Sequence, residues 1–358
     1  MNDSMRFAVI GCGVNARKHA EQLSLIEDAR LVAVADVDTA KAQELGGRHG
    51  AAAYSNYREM LARSDIDIVN ICTPSGMHAD MAIAAAAAGK HAIVEKPMDI
   101  SLDQADAMIA AFRTAGKKLC VISQHRFDAA TVRVKQEIEQ GRLGHVILAE
   151  AAVNWFRSQG YYDSGDWRGT WALDGGGALM NQSIHTIDLF QYLAGDVERV
   201  FAYTATLNHR RIEVEDVAIA SVRFRSGGLG TIVGTTVAYP GISARLEIFG
   251  TRGSALLESS RLTGLYHQPT DQTELRTKDR TAVNLAAHNE EGVAMEAADP
   301  AALASDSHRL QFLDMMDAVR SGREPLVNGE EGRKGLEIIL AIYASARAQQ
   351  EVVLSLPC

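Results

Sequence analysis

A chain of 358 residues is long for one domain and comfortable for two. Hydrophobic residues at 47% and charged residues at 23% are ordinary globular composition, which argues against extensive disorder. A net charge of −9 argues against a sequence-independent grip on nucleic acid, which needs a basic face.

The N-terminus, Met1-Asn2-Asp3-Ser4-Met5-Arg6, lacks the basic-then-apolar pattern of a secretory leader. Short apolar runs at 7–10, 31–35, 66–72, 91–94 and 119–122 then predict strands. Such near-continuous runs suit parallel strands buried on both faces. Helical segments fall between them, at about 16–25, 40–48, 57–63, 79–88 and 102–115. Ser101 with Gln104 suggests a capping box at the start of the last of these. The alternation predicts a doubly wound parallel sheet over residues 1–124. The alanine-rich run 82–88 is too short to cross a membrane.

After residue 124 the pattern changes. A helix is expected over about 129–140 and longer, partly alternating strands over 145–153, 197–206, 217–225, 230–237 and 245–250. A helix over about 180–193 interrupts them. Residues 125–358 are therefore an α+β domain. The polar, acidic stretch 268–307 reads as loops and short strands, and two helices at about 308–321 and 331–349 close the chain. Cys12, Cys72, Cys120 and Cys358 lie far apart with no C-x-x-C pair, so a disulfide framework and a zinc knuckle are not expected. Reduced thiols fit a cytoplasmic protein.

Gly11-x-Gly13-x-x-Ala16 follows the first strand and opens a helix. The first glycine permits a tight turn, the second lets the backbone approach a pyrophosphate, and a small third residue lets helix and strand pack. The N–H groups of Val14, Asn15 and Ala16 are then the phosphate donors. Asp36 ends the second strand, where a carboxylate accepts from ribose hydroxyls and repels a 2′-phosphate. NAD is expected over NADP. Thr73 and Pro74, at the end of the third predicted strand, are placed to wall the nicotinamide pocket, with His78 opening the next helix.

Glu95-Lys96-Pro97 closes the fourth predicted strand, at the sheet edge where open α/β sheets bind ligands. A lysine there can stabilise the alkoxide that develops as a hydride leaves. The bland alternative is a solvated surface lysine. Gly175-Gly176-Gly177 leads into a helix on which Asn181 and His185 share one face. His185 suits a general base, with Asp188 three residues on to orient it. The same spacing also suits a core histidine bonded to Asp188. No metal is expected, because H-E-x-x-H is absent and asparagine is a poor ligand. Gln124 and Arg126 are candidate substrate contacts, the arginine for a carboxylate or phosphate. Arg157, Tyr161, Tyr162, Trp167, Arg168 and Trp171 suit stacking on a sugar or base, or else a packed loop or subunit contact.

Together the Gly11 motif, Cys72-Thr73-Pro74-Ser75-Gly76-Met77-His78, Glu95-Lys96-Pro97, the triple glycine with His185-Thr186-Ile187-Asp188, and Val214-Glu215-Asp216 resemble the Gfo/Idh/MocA family nearly end to end. The resemblance implies a Rossmann domain, then a domain on a large open, mostly antiparallel sheet that joins subunits into homodimers or homotetramers. It implies a nicotinamide cofactor held in part by Glu95 and Lys96, and a secondary hydroxyl of a sugar, cyclitol or nucleotide sugar as substrate. The family's catalytic lysine maps to Lys96 and its histidine to His185. Inositol-type members carry aspartate where this chain has Asn181, and nucleotide-sugar 3-dehydrogenases resemble the asparagine arrangement. Two alternatives stay open on the same scaffold: an enzyme that recycles tightly held NAD during hydrolysis or isomerisation, and a non-catalytic sugar sensor.

Overall fold

Buried β-branched and small apolar side chains define the first sheet. The computed structural model describes residues 4–269, 283–286 and 306–355. Six strands, β1 (Met5–Ile10), β2 (Ala29–Ala35), β3 (Ala52–Tyr54), β4 (Ile68–Ile71), β5 (His91–Val94) and β6 (Leu119–Val121), lie in the order β3-β2-β1-β4-β5-β6. Every pairing in this sheet is parallel. All four residues of β4 are buried, and three of them, Ile68, Val69 and Ile71, are β-branched and apolar. The helices between the strands are α1 (Val14–Ser24), α2 (Thr39–His49), α3 (Tyr57–Leu61), α4 (His78–Ala87) and α5 (Leu102–Ala115). Ala16 and Ala20 on α1 are small enough to lie against Val9 and Val34. Strand order reverses between β1 and β4, so the loops after these two strands flank the switch point.

The expected capping box at Ser101 does not form, since the Ser101 side chain makes no cap bond. The Asp99 carboxylate instead accepts from the N–H groups of Ala79, Ile100 and Ser101.

The rest of the chain adds α6 (Ala129–Glu139), β7 (Val146–Asn154), α7 (Gln159–Tyr162), one π-helical turn (Ala178–Ser183) and α8 (Ile184–Ala194). Then come β8 (Val197–Ala205), β9 (Val217–Phe224), β10 (Leu229–Thr235), β11 (Arg245–Gly250), β12 (Gly253–Glu258) and β13 (Arg261–His267). Helices α9 (Asp306–Ser321) and α10 (Gly329–Ala348) and strand β14 (Val352–Val353) follow. The second sheet has the order β13-β12-β11-β7-β10-β9-β8-β14. Its pairings are antiparallel except for β7 with β10. Strand β9 shows why: Ala218, Ala220, Val222 and Phe224 are buried, while Ile219, Ser221 and Arg223 between them are exposed. Phe190 of α8 packs on Phe224 with ring centroids 5.1 Å apart.

The fold is the expected one: a parallel Rossmann sheet, then an α+β domain on a mostly antiparallel sheet. Strands β12 and β13 were not anticipated, because their polar residues mask the alternation. Most of 268–307, read from sequence as loops and short strands, lies outside the described residues. By packing, one unit comprises Met1–Gln124, Asp166–Gly176 and Ala304–Leu336, and the other comprises His125–Gly165, Gly177–Leu303 and Glu337–Cys358. Two later segments therefore join the first unit, which a simple cut after residue 124 does not foresee.

Candidate active site

Gly11 sits at φ +86°, and a Cβ there would stand 2.8 Å from the Cys72 carbonyl oxygen. Only glycine turns the chain here. A Cβ at Gly13 would meet nothing within 4 Å, so the approach to the α1 N-terminus is open. Val14 and Asn15 are exposed in that first turn, and Ala16 is buried against the sheet. The Asp36 carboxylate accepts from Cys12 N at 2.6 Å and Asp38 N at 2.8 Å. Each of its oxygens keeps a second acceptor position for a ribose hydroxyl. These residues fit a dinucleotide: a backbone turned back on itself, unpaired N–H groups at a helix start, and a carboxylate one strand away.

The loop after β4 is braced from behind. His78 is buried, with Nδ1 2.8 Å from the Pro97 carbonyl and Nε2 2.9 Å from the Thr73 carbonyl. Both ring nitrogens thus tie the Thr73-Pro74 loop to the turn after β5. Burial pushes the His78 pKa down, and the two carbonyls oppose that.

Glu95 and Lys96 end β5 differently. Lys96 is half-buried and Glu95 fully so. His19 of α1 donates from Nε2 to Glu95 Oε1 at 2.9 Å. The Asn70 amide nitrogen lies 3.1 Å from His19 Nδ1. Glu95 Oε2 in turn accepts the Lys96 backbone N–H. Burial alone would push Glu95 up, yet the bond from His19, with the charges of His19, His308 and Lys96, holds its pKa near about 2. Among the described residues, His19, Glu95 and His308 form the one buried cluster of three groups able to ligate a metal. The His19 and Glu95 atoms that would serve are already engaged with each other.

Gln124 is buried, and its Oε1 has no hydrogen-bond partner. It is an acceptor with unmet capacity. Trp167, Arg168 and Trp171 belong to the first unit, where Leu173 O accepts from Gly76 N. The Arg168 guanidinium lies 4.5 Å from the Trp167 ring. Arg157, Tyr161 and Tyr162 belong to the second unit, so the structure separates residues that the sequence groups in one loop.

In the second unit Gly177, the last of the three glycines, is explained by contact. A Cβ at Gly177 would stand 1.9 Å from the Glu215 carbonyl oxygen. The Glu215 carboxylate accepts from Gly177 N, Leu179 N and the Tyr343 hydroxyl. Burial drives its pKa up to about 7 in spite of these donors. The carboxylate clamps the π-helical turn that carries Asn181.

Asn181 has a defined polarity. Arg157 can only donate, and its Nε donates to Gln182 Oε1 at 3.1 Å. Gln182 Nε2 therefore donates onward, to Asn181 Oδ1 at 3.2 Å and to the Tyr161 oxygen at 3.0 Å. Asn181 Oδ1 is thus the acceptor in this chain of bonds. Arg157 is packed near the Trp155 and Tyr161 rings at 5.0 and 5.6 Å.

His185 is half-buried at the start of α8. Its ring meets the His125 ring edge to face, centroids 5.1 Å apart. Arg126 is 1% exposed and grips Asp188 with both sides of its fork, at 2.8 and 2.6 Å. Its guanidinium also lies over the Tyr192 ring. The fork expected for a substrate anion is thus occupied by Asp188, the residue expected to orient His185. His125, Asp128, Gln182 and Glu215 were not singled out from the sequence. Glu215 stood inside a quoted motif, but its bonds connect distant stretches.

A glycine-turned cradle on a 3-2-1-4-5-6 sheet, with an acidic residue at the next strand end, defines a nicotinamide-dinucleotide oxidoreductase class. Residues 5–123 match the oxidoreductase family with an NAD-binding Rossmann fold, and residues 131–256 match the GFO/IDH/MocA C-terminal domain. The chain belongs to the GFO/IDH/MocA family. It is 33% identical to the WlbA dehydrogenase of Bordetella pertussis, solved with NADH and UDP-GlcNAcA, covering 99% of this chain and 100% of that one at a TM-score of 0.85. It is 29% identical to the myo-inositol 2-dehydrogenase of Thermotoga maritima, over 97% of each chain. It is 30% identical to the NAD(+)-dependent scyllo-inositol 2-dehydrogenase of Bacillus subtilis, over 73% of this chain and 76% of the relative.

Proposed function

We propose that this protein is an NAD-dependent dehydrogenase that oxidises a secondary hydroxyl of a nucleotide-linked sugar acid. By the family resemblance Asn181 stands where inositol-type relatives bear an aspartate, and its amide cannot take a proton as that carboxylate can. The end-to-end likeness to the WlbA dehydrogenase supports the same class.

The bound cofactor supplies the hydride acceptor. His185 removes the hydroxyl proton, and Lys96 donates to the oxygen as negative charge develops on it. Asn181 positions the substrate. In reduction the same groups exchange roles. Asp36 favours NAD over NADP because a 2′-phosphate would face its carboxylate. Three described cysteines are free, consistent with a cytoplasmic protein, and no described helix is long and apolar enough to cross a membrane. The outer face of the second sheet exposes Phe201, Tyr203, Ile219 and Leu229, and we assign it to a second copy of this chain. Tyr203→Lys with Ile219→Lys should give a monomer by light scattering if that face joins subunits.

The deciding experiment follows the absorbance of reduced nicotinamide with NAD⁺ and a panel of UDP-GlcNAcA, free uronic acids, inositols, aldoses and glycosides. A rise confined to the nucleotide-linked acid is expected. A rise with inositols alone would overturn the substrate class. Cofactor that survives purification, with no net redox change on any of them, would favour recycling.

A further inference from the structure

The carboxyl end of β6 is firmly held. Val121 N donates to Val327 O, and Ile122 N donates to Val94 O of β5. Gln311 of α9, fully buried, bridges the same stretch. Its Oε1 accepts from Ser123 N at 3.1 Å and its Nε2 donates to Val121 O at 2.8 Å. The next residue, Gln124, is 1% exposed, and its Oε1 has no hydrogen-bond partner among the described residues. A buried amide oxygen left unpaired is costly, and folded proteins rarely keep one without a use for it. Here it stands on a rigid support, at the strand ends where open α/β sheets take their ligands.

We propose that Gln124 is a specificity-determining residue whose Oε1 accepts from a hydroxyl or amide N–H that the sugar bears beside the oxidised hydroxyl. The proposal rests on the dehydrogenase reading, with Lys96 at the oxidised hydroxyl. Along the order β1-β4-β5-β6 the glycine turn follows β1, Lys96 follows β5 and Gln124 follows β6. Each strand is a step of about 4.8 Å, so Gln124 lies one step beyond Lys96 as seen from the cradle. A group bonded there belongs to the substrate and not to the nicotinamide. An amide oxygen only accepts, so its partner must carry a proton. An ionised carboxylate or phosphate has none to give. The sugar therefore meets this oxygen with an uncharged substituent, and its anionic groups lie elsewhere.

The test is Gln124→Met, which keeps the length of the side chain and removes the acceptor. A residue that merely supported the fold would lose stability on this change, whereas one held for a ligand gains it. In the ligand-free protein the Tm should rise by about 2 °C or more, because an unpaired buried polar atom is gone. In the presence of NADH, calorimetry should show UDP-GlcNAcA bound about tenfold more weakly, while NADH affinity stays within about twofold. An unchanged or lower Tm, or a variant that does not fold, means that the oxygen is already satisfied and overturns the proposal. Unchanged affinity for UDP-GlcNAcA overturns it as well, and so does an equal loss for NADH, which would move the contact to the cofactor. A wild type that does not bind UDP-GlcNAcA fails the substrate class instead. The same two proteins are then compared on the sugar or cyclitol that the wild type oxidises, and the Tm comparison stands without any substrate.

Discussion

Glu95 and Glu215 are both buried, and both sit beside a residue assigned to chemistry, yet their acidities are pushed in opposite directions. Glu95 is held near about 2 and Glu215 is raised to about 7. The difference lies in the partners. Glu95 accepts from His19 and has Lys96 as its neighbour. Glu215 accepts from two backbone amides and a tyrosine hydroxyl, all neutral. Neutral donors satisfy geometry but do not offset the cost of burying a charge. The carboxylate next to the lysine is therefore a fixed anion, and the one under the Asn181 turn changes state near neutrality.

Arg126 and Asp188 extend the comparison to a buried carboxylate with a full cationic fork. Arg126→Met should show the largest stability effect, roughly 3–5 kcal/mol in denaturant unfolding, because the buried Asp188 carboxylate loses its bidentate cation. Adding Asp188→Leu should recover most of that loss, and failure to recover would mean that Arg126 acts chiefly through Tyr192.

The two glutamates should contribute opposite pH slopes to stability. The Glu95 contribution is present above pH 4.5 and is lost as pH falls toward 2, and Glu95→Gln should abolish it. The Glu215 contribution is present below pH 4.5 and is lost as pH rises through about 7, and Glu215→Gln should remove that decline. Each amounts to on the order of 3 kcal/mol across its window. Equal slopes in urea titrations of the wild type and a variant would break the contrast for that residue.

Catalysis tests whether the contrast matters. Lys96→Ala and His185→Ala should each lower turnover about 10²-fold or more while NAD⁺ still binds, as read by fluorescence quenching. Near-native turnover in either variant would remove its assigned role. The smallest effect is expected at Asp36. Asp36→Ala should weaken NAD⁺ binding about tenfold and narrow the preference over NADP⁺, in line with the loss of charge-assisted hydrogen bonds.

Much of the first sheet was legible because its determinants are local. Gly11, Gly13 and Ala16 announce a strand, a turn and a helix in six residues, and the strand ends place Asp36 and Lys96 without reference to the rest of the chain. The helix carrying Asn181 and His185 was legible from spacing alone. Its π-helical first turn was not, because it depends on Glu215, 38 residues beyond Gly177. Arg126 looked like an anion receptor because its partner Asp188 lies 62 residues away. What escaped the reading is what long-range carboxylate bonds decide.

The Asp36 carboxylate has two employers. In the proposed function it accepts from a ribose, and in the structure it holds the Cys12 amide in the turn that follows β1. A chain drifting toward a phosphorylated cofactor would discard the carboxylate and, with it, an anchor of the phosphate loop. The switch thus requires a coupled second change, one that supplies a new acceptor for Cys12. A cofactor choice made through Asp36, as proposed, would be guarded by a backbone hydrogen bond, and redesigns that replace Asp36 alone should give an enzyme poor with both cofactors before they give one that prefers the other.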